Sequence, residues 1–468
     1  MVFSSIPFLF YFLPLFFILY YLTPFSFKNG VLLIFSLIFY AWGEPIYVLL
    51  MIFETLSDFL IARSMEKAID NIRKRKFLMG LSLFVDLSAL LFFKYADFAI
   101  GVFNKVSGKS VPLLELGLPI GISFFTFQTL SYSIDVYKKK VNAEHSYVNY
   151  LAYVSMFPQL IAGPIVRFST IDEQLHSRQI NFEQTSKGFY RFLTGLFKKV
   201  LVANRIGALY ESINAAPLTE LTVANAWLGA IAFTFQIYFD FSAYSDMAIG
   251  MGQMMGFTFN ENFNYPLTAI SITDFWRRWH ISLSTWFRDY VYIPLGGNRT
   301  SKAKHIRNIF VVWFLTGFWH GASWNYMFWG LYYGIFLLLE KYVWGKYLEK
   351  LPRAIKHIYS YLIVVVSFVI FSHEETSNLA GYMKVMFGLS GNTFANINFL
   401  WYLKSYLFII VLCILLMGPL FNNFVKFVFT KLGKAGKVIC PVVMLLLLVL
   451  VTAYLVNDSY NPFLYFRF

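Results

Sequence analysis

The chain reads as a succession of apolar runs broken by short polar and basic stretches. A helix crossing a bilayer needs about 20 predominantly apolar residues, and on that measure the runs predict about eleven crossing segments. The first extends from Ile6 to Leu22, the second from Val31 to Trp42 and the third from Ile46 to Ala62. Gly43, Glu44 and Pro45 turn the chain between the latter two. A fourth covers Phe77–Tyr95, the stretch Ala96–Leu118 is expected outside, and Pro119–Gln128 begins the return inward. Further apolar segments follow at Val148–Ile165, Phe189–Ala203, Ala224–Gly256, Ile309–Gly317, Met327–Glu340, Ile358–Phe371, Tyr406–Phe421 and Val438–Val456. Some are too short or too polar to cross simply. Gly, Pro and charge at membrane depth are tolerated only inside protein or beside a water-filled cavity, so re-entrant or tilted pieces are expected between Asp274 and Trp329. The run Val2–Leu22 lacks a basic leader and a small-residue cleavage site, and is expected to be the first span. With no internal repeat and no long linker, the pattern predicts an all-α polytopic membrane protein whose residues 1–468 form a single transmembrane domain.

Composition agrees with that class. Of 468 residues, 58% are hydrophobic and only 14% charged, with a mean hydropathy of +0.58. A soluble globular chain is roughly a quarter charged, so this one has too little polar surface to coat a water-soluble body. The net charge of +14 sits between the apolar runs: Arg63, Lys67, Arg73 through Lys76, Lys138 through Lys140, Lys198, Lys199, and Arg299 through Arg307. Short basic loops between spans mark the cytoplasmic side, which places the amino terminus outside and argues against nucleic-acid binding. Cys413 and Cys440 lie in or beside apolar segments without paired spacing, so neither a disulfide framework nor a thiolate metal site is implied.

Four stretches carry candidate chemistry. In Asp274–Tyr290, helical spacing would bring Asp274 to Arg277 and Arg278, and would set Trp276, His280 and Ser284 on one face. The same residues would also suit an aromatic and arginine belt at headgroup level. In Phe314–Tyr326, His320 stands between Trp319 and Gly321, with Asn325 close by, in a strongly apolar setting. An ionisable residue at membrane depth is a functional candidate, and imidazole can take a proton from a hydroxyl and return it to a leaving group. The alternative is a neutral histidine hydrogen-bonded between helices, and Gly321 would allow close approach of substrate or backbone. In Gln236–Asp246, Gln236, Asp240 and Tyr244 share a helical face, with Ser242 and Asp246 on another. These carboxylates could bind cations, orient histidines or hold helices together; the structural role is favoured for Asp246. Finally, Phe157–Arg167 carries two prolines and a glycine that break a helix, to shape a cavity wall with Arg167 at its rim or simply to kink. No His-Glu-x-x-His pair, Walker loop or Gly-x-Ser-x-Gly elbow is present, and no metal is expected.

The pair Arg-Arg-Trp-His280 and Trp-His-Gly321 resembles the membrane-bound O-acyltransferase family. The resemblance extends to the opening Met-Val-Phe-Ser-Ser, Pro119–Gln128, Ala162–Ile165, Tyr238–Asp246, Tyr292–Gly297 and the closing Phe463–Phe468. These motifs cover nearly the whole chain and look like the bacterial alginate O-acetylation branch. The resemblance implies a funnel-like all-helical body, His320 as the catalytic histidine and His280 as a second required one. It makes Trp276, Arg277, Arg278, Ser284, Trp319, Asn325, Asp240 and Tyr244 candidates for binding substrate. It implies no permanently bound cofactor and an acyl thioester donor, acetyl-CoA or an acyl carrier protein, at the cytoplasmic face. The acyl group would end on an extracytoplasmic polysaccharide of the cell envelope, with an SGNH-type acetyltransferase as partner, in a multi-pass bacterial inner-membrane setting. One departure is Tyr333 in Trp329–Gly334, where many relatives have a histidine. The expected reaction has Arg277, Arg278 and the Arg299–Arg307 loop drawing in the donor's phosphates, His320 as base or transient acyl carrier, and His280 orienting the thioester or steadying the oxyanion. The alternatives are D-alanyl transfer to teichoic acid, a transporter using Asp240, Asp246 and His320 as a relay, and a non-catalytic scaffold.

Overall fold

The computed structural model describes residues 1–161, 163–457 and 464, and among these the chain is helical with no strand. Ala162 of the Ala-Gly-Pro-Ile motif and the closing Phe463–Phe468 motif, Leu464 apart, lie outside the described residues. The chain packs as two compact units, Met1–Phe192 with Ser245–Asn260, and Leu193–Tyr244 with Glu261–Phe468.

The first unit opens with a π-helical turn, Phe8–Phe12, that continues into α1 (Leu13–Leu22). It then holds α2 (Phe25–Ala41), α3 (Tyr47–Lys67), α4 (Ile72–Ser107), α5 (Ile122–Tyr137), α6 (Tyr147–Ser155), α7 (Phe157–Leu160), α8 (Phe168–His176) and most of α9 (Phe182–Phe197). Phenylalanines set its start: Phe157 meets Phe12 edge-on at 5.3 Å and Phe16 at 5.1 Å, each ring fitting the electron-poor edge of one to the face of another. The predicted break falls at Met156, where the backbone leaves the helix (φ −48°, ψ 109°) ahead of Pro158. Gly121, at φ +80°, lets the start of α5 approach that break; a Cβ there would come within 2.6 Å of the Leu160 carbonyl oxygen. The expected external stretch Ala96–Leu118 is helical for its first half, because α4 runs on to Ser107 before Gly108 ends it at φ +69°.

The second unit holds α10 (Asn204–Asn214), the first part of α11 (Val223–Met254), α12 (Ile272–Trp276), α13 (Ile281–Phe287), α14 (Lys302–His320), α15 (Trp324–Leu339), α16 (Gly345–Lys350), α17 (Arg353–Ser372), α18 (Thr376–Met386), α19 (Ile397–Ser405), α20 (Leu407–Leu416) and α21 (Pro419–Asn457). The Arg299–Arg307 stretch, expected as a loop, is helical from Lys302, with the Ser301 side chain capping the new helix at Lys304. Its central pair is α14 and α15. A Cβ on Gly317 would lie 2.3 Å from the Tyr326 carbonyl oxygen, and one on Gly330 would lie 2.2 Å from that of Trp313. Glycine is the residue that lets these two backbones touch.

Among the described residues three helices, α4, α17 and α21, are long and apolar enough to cross a membrane, and the pair α19–α20, bent by 59°, is either a broken fourth span or a re-entrant loop. The segments predicted as the first two spans are shorter apolar helices, Phe8–Leu22 and Phe25–Ala41. Length and apolarity alone therefore support a membrane protein with three or four such spans, fewer than the eleven the hydropathy pattern predicts.

Candidate active site

The site forms in the second unit around the segment that precedes His280. Its first helix, α12, is capped twice. Ser271 accepts from the Asp274 amide at 3.0 Å, and the buried Glu340 carboxylate accepts from the Ile272 and Thr273 amides at 2.6 and 3.0 Å. A carboxylate on the free N–H groups of a helix start is favoured by both hydrogen bonding and the helix dipole. Glu340 thus anchors the end of α15 to the start of α12. Arg278 turns back to Asp274 with Nε 2.8 Å from Oδ1, as the predicted spacing requires, whereas Arg277 is exposed.

Beyond Trp276 the predicted helical face fails. The helix stops, and His280 takes the left-handed conformation (φ +44°, ψ 54°) before α13 begins at Ile281. Trp276, His280 and Ser284 therefore do not share a helical face, and the Ser284 hydroxyl lies 3.5 Å from the Trp279 carbonyl oxygen. A non-glycine residue at positive φ is strained, and strain of this kind persists where the surroundings hold it. Asn262, fully buried, supplies that hold. Its Oδ1 lies 3.1 Å from His280 Nδ1 and accepts from the Ser282 amide at 3.3 Å and hydroxyl at 2.9 Å, while its backbone carbonyl accepts from Ile281 at 2.9 Å. Because the Ser282 amide can only donate, the Asn262 atom at the centre is the oxygen, and His280 Nδ1 carries the proton. The lone pair of the neutral ring is then on Nε2. Phe241 of α11 closes against the imidazole edge-on at 4.7 Å.

His320 ends α14, 7% exposed, inside an aromatic box. Trp319 and Trp329 stand at 4.9 Å and Phe371 at 5.2 Å from its ring, all near perpendicular. Trp319 also faces His280 at 6.3 Å, so one indole contacts both histidines. Trp276 completes the cluster through Trp313 at 4.5 Å, Tyr333 at 4.9 Å and Trp329 at 5.7 Å. Among the described residues the indole N–H groups of Trp276 and Trp329 are buried and have no hydrogen-bond partner. A buried orphan donor is costly and calls for an explanation, of which a ligand acceptor is one. Gly321 differs from its expected use: a Cβ there would meet the Tyr326 ring at 2.3 Å, so protein, not substrate, fills the space it leaves. Tyr333 donates to or accepts from the Ser367 hydroxyl at 2.6 Å within the aromatic cluster.

The other candidates separate from this centre. Asn325, fully buried, donates to the Phe371 carbonyl at 3.0 Å and so fixes α15 to α17 behind the box. Asp240 forms a buried ion pair with Lys199 at 2.6 Å and accepts from the Leu464 amide at 3.0 Å; Tyr244 is buried one turn later. Asp246, in the first unit, accepts from Arg191 at 3.0 and 3.2 Å, the structural role its sequence favours. Both carboxylates of the proposed relay are thus committed to basic partners. A cavity of about 370 Å³ in the second unit is lined by Tyr210, Asn214, His373, Glu374, Glu375 and Asn378, among others. It starts one residue beyond Phe371 of the box, and neither His373 nor Glu374 stands out in the sequence pattern. Among the described residues one set of side chains could hold a metal ion: Glu144, Asp172 and His176 of the first unit bring one atom each within 4.8 Å of one another. There the Glu144 carboxylate already accepts from two backbone amides and lies 3.0 Å from the His176 ring.

Comparison with known proteins bears on this arrangement. A family model described as MBOAT, membrane-bound O-acyltransferase family, matches residues 125–373, a stretch that contains both histidines. The chain is 44% identical over 379 residues to the "Probable alginate O-acetylase AlgI" of Pseudomonas aeruginosa, covering 80% of this chain and 72% of that protein. It is 34% identical over 433 residues to the peptidoglycan O-acetyltransferase of Helicobacter pylori, covering 85% and 82%. Similarity to the teichoic acid D-alanyltransferase of Bacillus subtilis is 29% over 246 residues, half of this chain.

Proposed function

The chain belongs to the membrane-bound O-acyltransferase family, in its alginate O-acetylation branch, and from that premise we propose that this acyltransferase carries acetyl groups from a cytoplasmic thioester toward a cell-envelope polysaccharide. The observation that carries the reading is the pair His280 and His320 set on one indole, Trp319, in a buried aromatic box.

In the proposed reaction the acceptor hydroxyl attacks the thioester carbonyl while His320 takes its proton. The C–S bond then breaks, and the proton returns to the leaving thiolate, so the ring is neutral at both ends of the cycle. As the Nδ1–H tautomer, His280 offers a lone pair and no proton at Nε2. It suits orienting the donor, by accepting from an amide or hydroxyl of the thioester arm, better than steadying an oxyanion. The oxyanion falls instead to the indole N–H groups of Trp276 and Trp329, which are buried donors of the kind that stabilise developing charge where water is excluded. Arg277, exposed, and the basic start of α14 attract the donor's phosphates. Ser284, Asn325, Asp240 and Tyr244 support the walls. Acetyl-CoA or an acyl carrier protein is the donor, and an SGNH-type enzyme outside the membrane receives the acetyl group for the polymer. In this reading the protein sits in the inner membrane with its amino terminus outside, and the shorter apolar helices complete about eleven crossings or re-entries.

The test is to feed cells isotopically labelled acetate or D-alanine and follow the label into envelope polymers with and without the gene. Gene-dependent acetate label in polysaccharide is expected. Gene-dependent D-alanine label, with acetate unchanged, would replace acetyl transfer by the teichoic acid reaction.

A further inference from the structure

Three carboxyl side chains lie within the helices of the first unit, far in sequence from either functional histidine. Glu54 and Asp58 stand one turn apart on α3, and Asp86 lies on α4, one of the helices long and apolar enough to cross a membrane. All three are fully buried. Ionisable groups at such positions are costly and seldom kept without use.

Their partners are incomplete in a specific way. Asp58 Oδ1 accepts from Ser82 of α4 at 2.7 Å and from Ser133 of α5 at 3.3 Å. Its other oxygen and both oxygens of Asp86 are left to the hydroxyl of Thr129 and to one another, the two carboxyl groups being hydrogen-bond neighbours. The Thr129 hydroxyl has a single proton and also lies 3.0 Å from the Thr126 carbonyl, so it cannot serve both carboxyl groups. Two carboxyl groups can hydrogen-bond one another only when a proton lies between them. Glu54, beside them, has neither oxygen in a hydrogen bond among the described residues. The buried hydroxyls of Tyr40 on α2, near Glu54, and Tyr150 on α6, near Asp58 and Asp86, are likewise without partners there. Tyr132 of α5 also faces Asp58 and spends its hydroxyl oxygen on the Glu144 amide. The titratable groups that α2 through α6 turn toward this point are thus carboxyls and phenols.

We propose that α3 and α4 carry an intramembrane proton-binding site, in which Asp58 and Asp86 share one proton and Glu54 takes up and releases a second. The step is a proton transfer between a carboxyl oxygen and water, with no other bond made or broken. The shared proton removes a charge that the apolar surroundings would otherwise oppose. The unpartnered phenol oxygens and carboxyl oxygens give entering water several hydrogen bonds, the condition for a buried water to be held.

Dicyclohexylcarbodiimide, which reacts with protonated carboxyls in apolar surroundings, tests this on the purified full chain, with adducts mapped by mass spectrometry. Adducts are expected on Glu54 or on the Asp58–Asp86 pair, falling as pH rises and unchanged by sodium chloride. E54Q should lower the Glu54 adduct to background. Protection that follows sodium concentration at fixed pH would overturn the proton assignment in favour of a metal cation. Absence of adducts at acid pH, when the unfolded chain labels at the same residues, would overturn it outright. A second readout does not need the reagent. If the pair must hold a proton in the folded state, stability is full at low pH and is lost as pH rises. The melting temperature of the wild type should therefore fall with pH more steeply than that of D58N or D86N, and equal slopes would contradict the shared proton.

Discussion

A neutral imidazole has one donor and one acceptor nitrogen, so the side chain that takes the Nδ1 proton also decides what Nε2 can do. For His280 that side chain is Asn262, at 3.1 Å, and the same oxygen gathers two donors from Ser282. N262A should leave His280 free to change tautomer and to relax from φ +44°. Acetyl transfer is expected to fall roughly 10–100-fold, as for partners that orient metal-bound histidines, with KM for the donor little changed. Steady-state kinetics on the purified enzyme checks this, and a pure rise in KM would instead make Asn262 a donor-binding residue. The two histidines were readable in the sequence because an ionisable ring in an apolar run is conspicuous. Asn262 was not, since an asparagine 18 positions upstream has no local pattern linking it to His280. Glu54, Asp58 and Asp86 do carry a signal, charge inside apolar runs, but no spacing ties them to either histidine.

Helix periodicity explains both what the pattern captured at the element scale and where it went astray. Spacing placed Arg278 against Asp274 correctly, because α12 and the turn after it keep those two residues one turn apart. It failed one turn later, where the left-handed His280 resets the chain before α13. The contact of α14 with α15 depends on glycines that have no apolar signature of their own. G317A and G330A would each drive a methyl group to within 2.3 Å of backbone that cannot move aside cheaply. Each should cost about 1–3 kcal/mol by overpacking, seen as a lower melting temperature in detergent. A variant as stable as wild type would show that the pair has room to separate. The buried pair Lys199–Asp240 gives a second test, since K199M leaves a carboxylate without its cation. That should cost about 3–5 kcal/mol, and K199M/D240L should recover most of it. Activity lost in the double variant at restored stability would give Asp240 a part in the reaction beyond holding the helix.

For the whole molecule, hydropathy identified the membrane class because too little charge is present to cover a soluble body, and that argument does not need element boundaries. The number of crossings is less legible. The helices Phe8–Leu22 and Phe25–Ala41 fall short of a spanning length, α4 runs well past its apolar run at both ends, and α19–α20 is bent. Hydropathy records apolar length, whereas packing decides where a helix starts and stops. What joins these scales is the claim that one ring, His320, performs the acyl transfer. The most direct measurement is the mass of envelope polysaccharide from a deletion strain carrying either the wild-type gene or H320A, at matched protein levels in the membrane. The wild type should restore acetyl groups to the polymer, and H320A should lower the rate by roughly 10²–10⁴-fold, the contribution of a positioned acid–base group. Restoration by H320A at the wild-type rate would contradict the account.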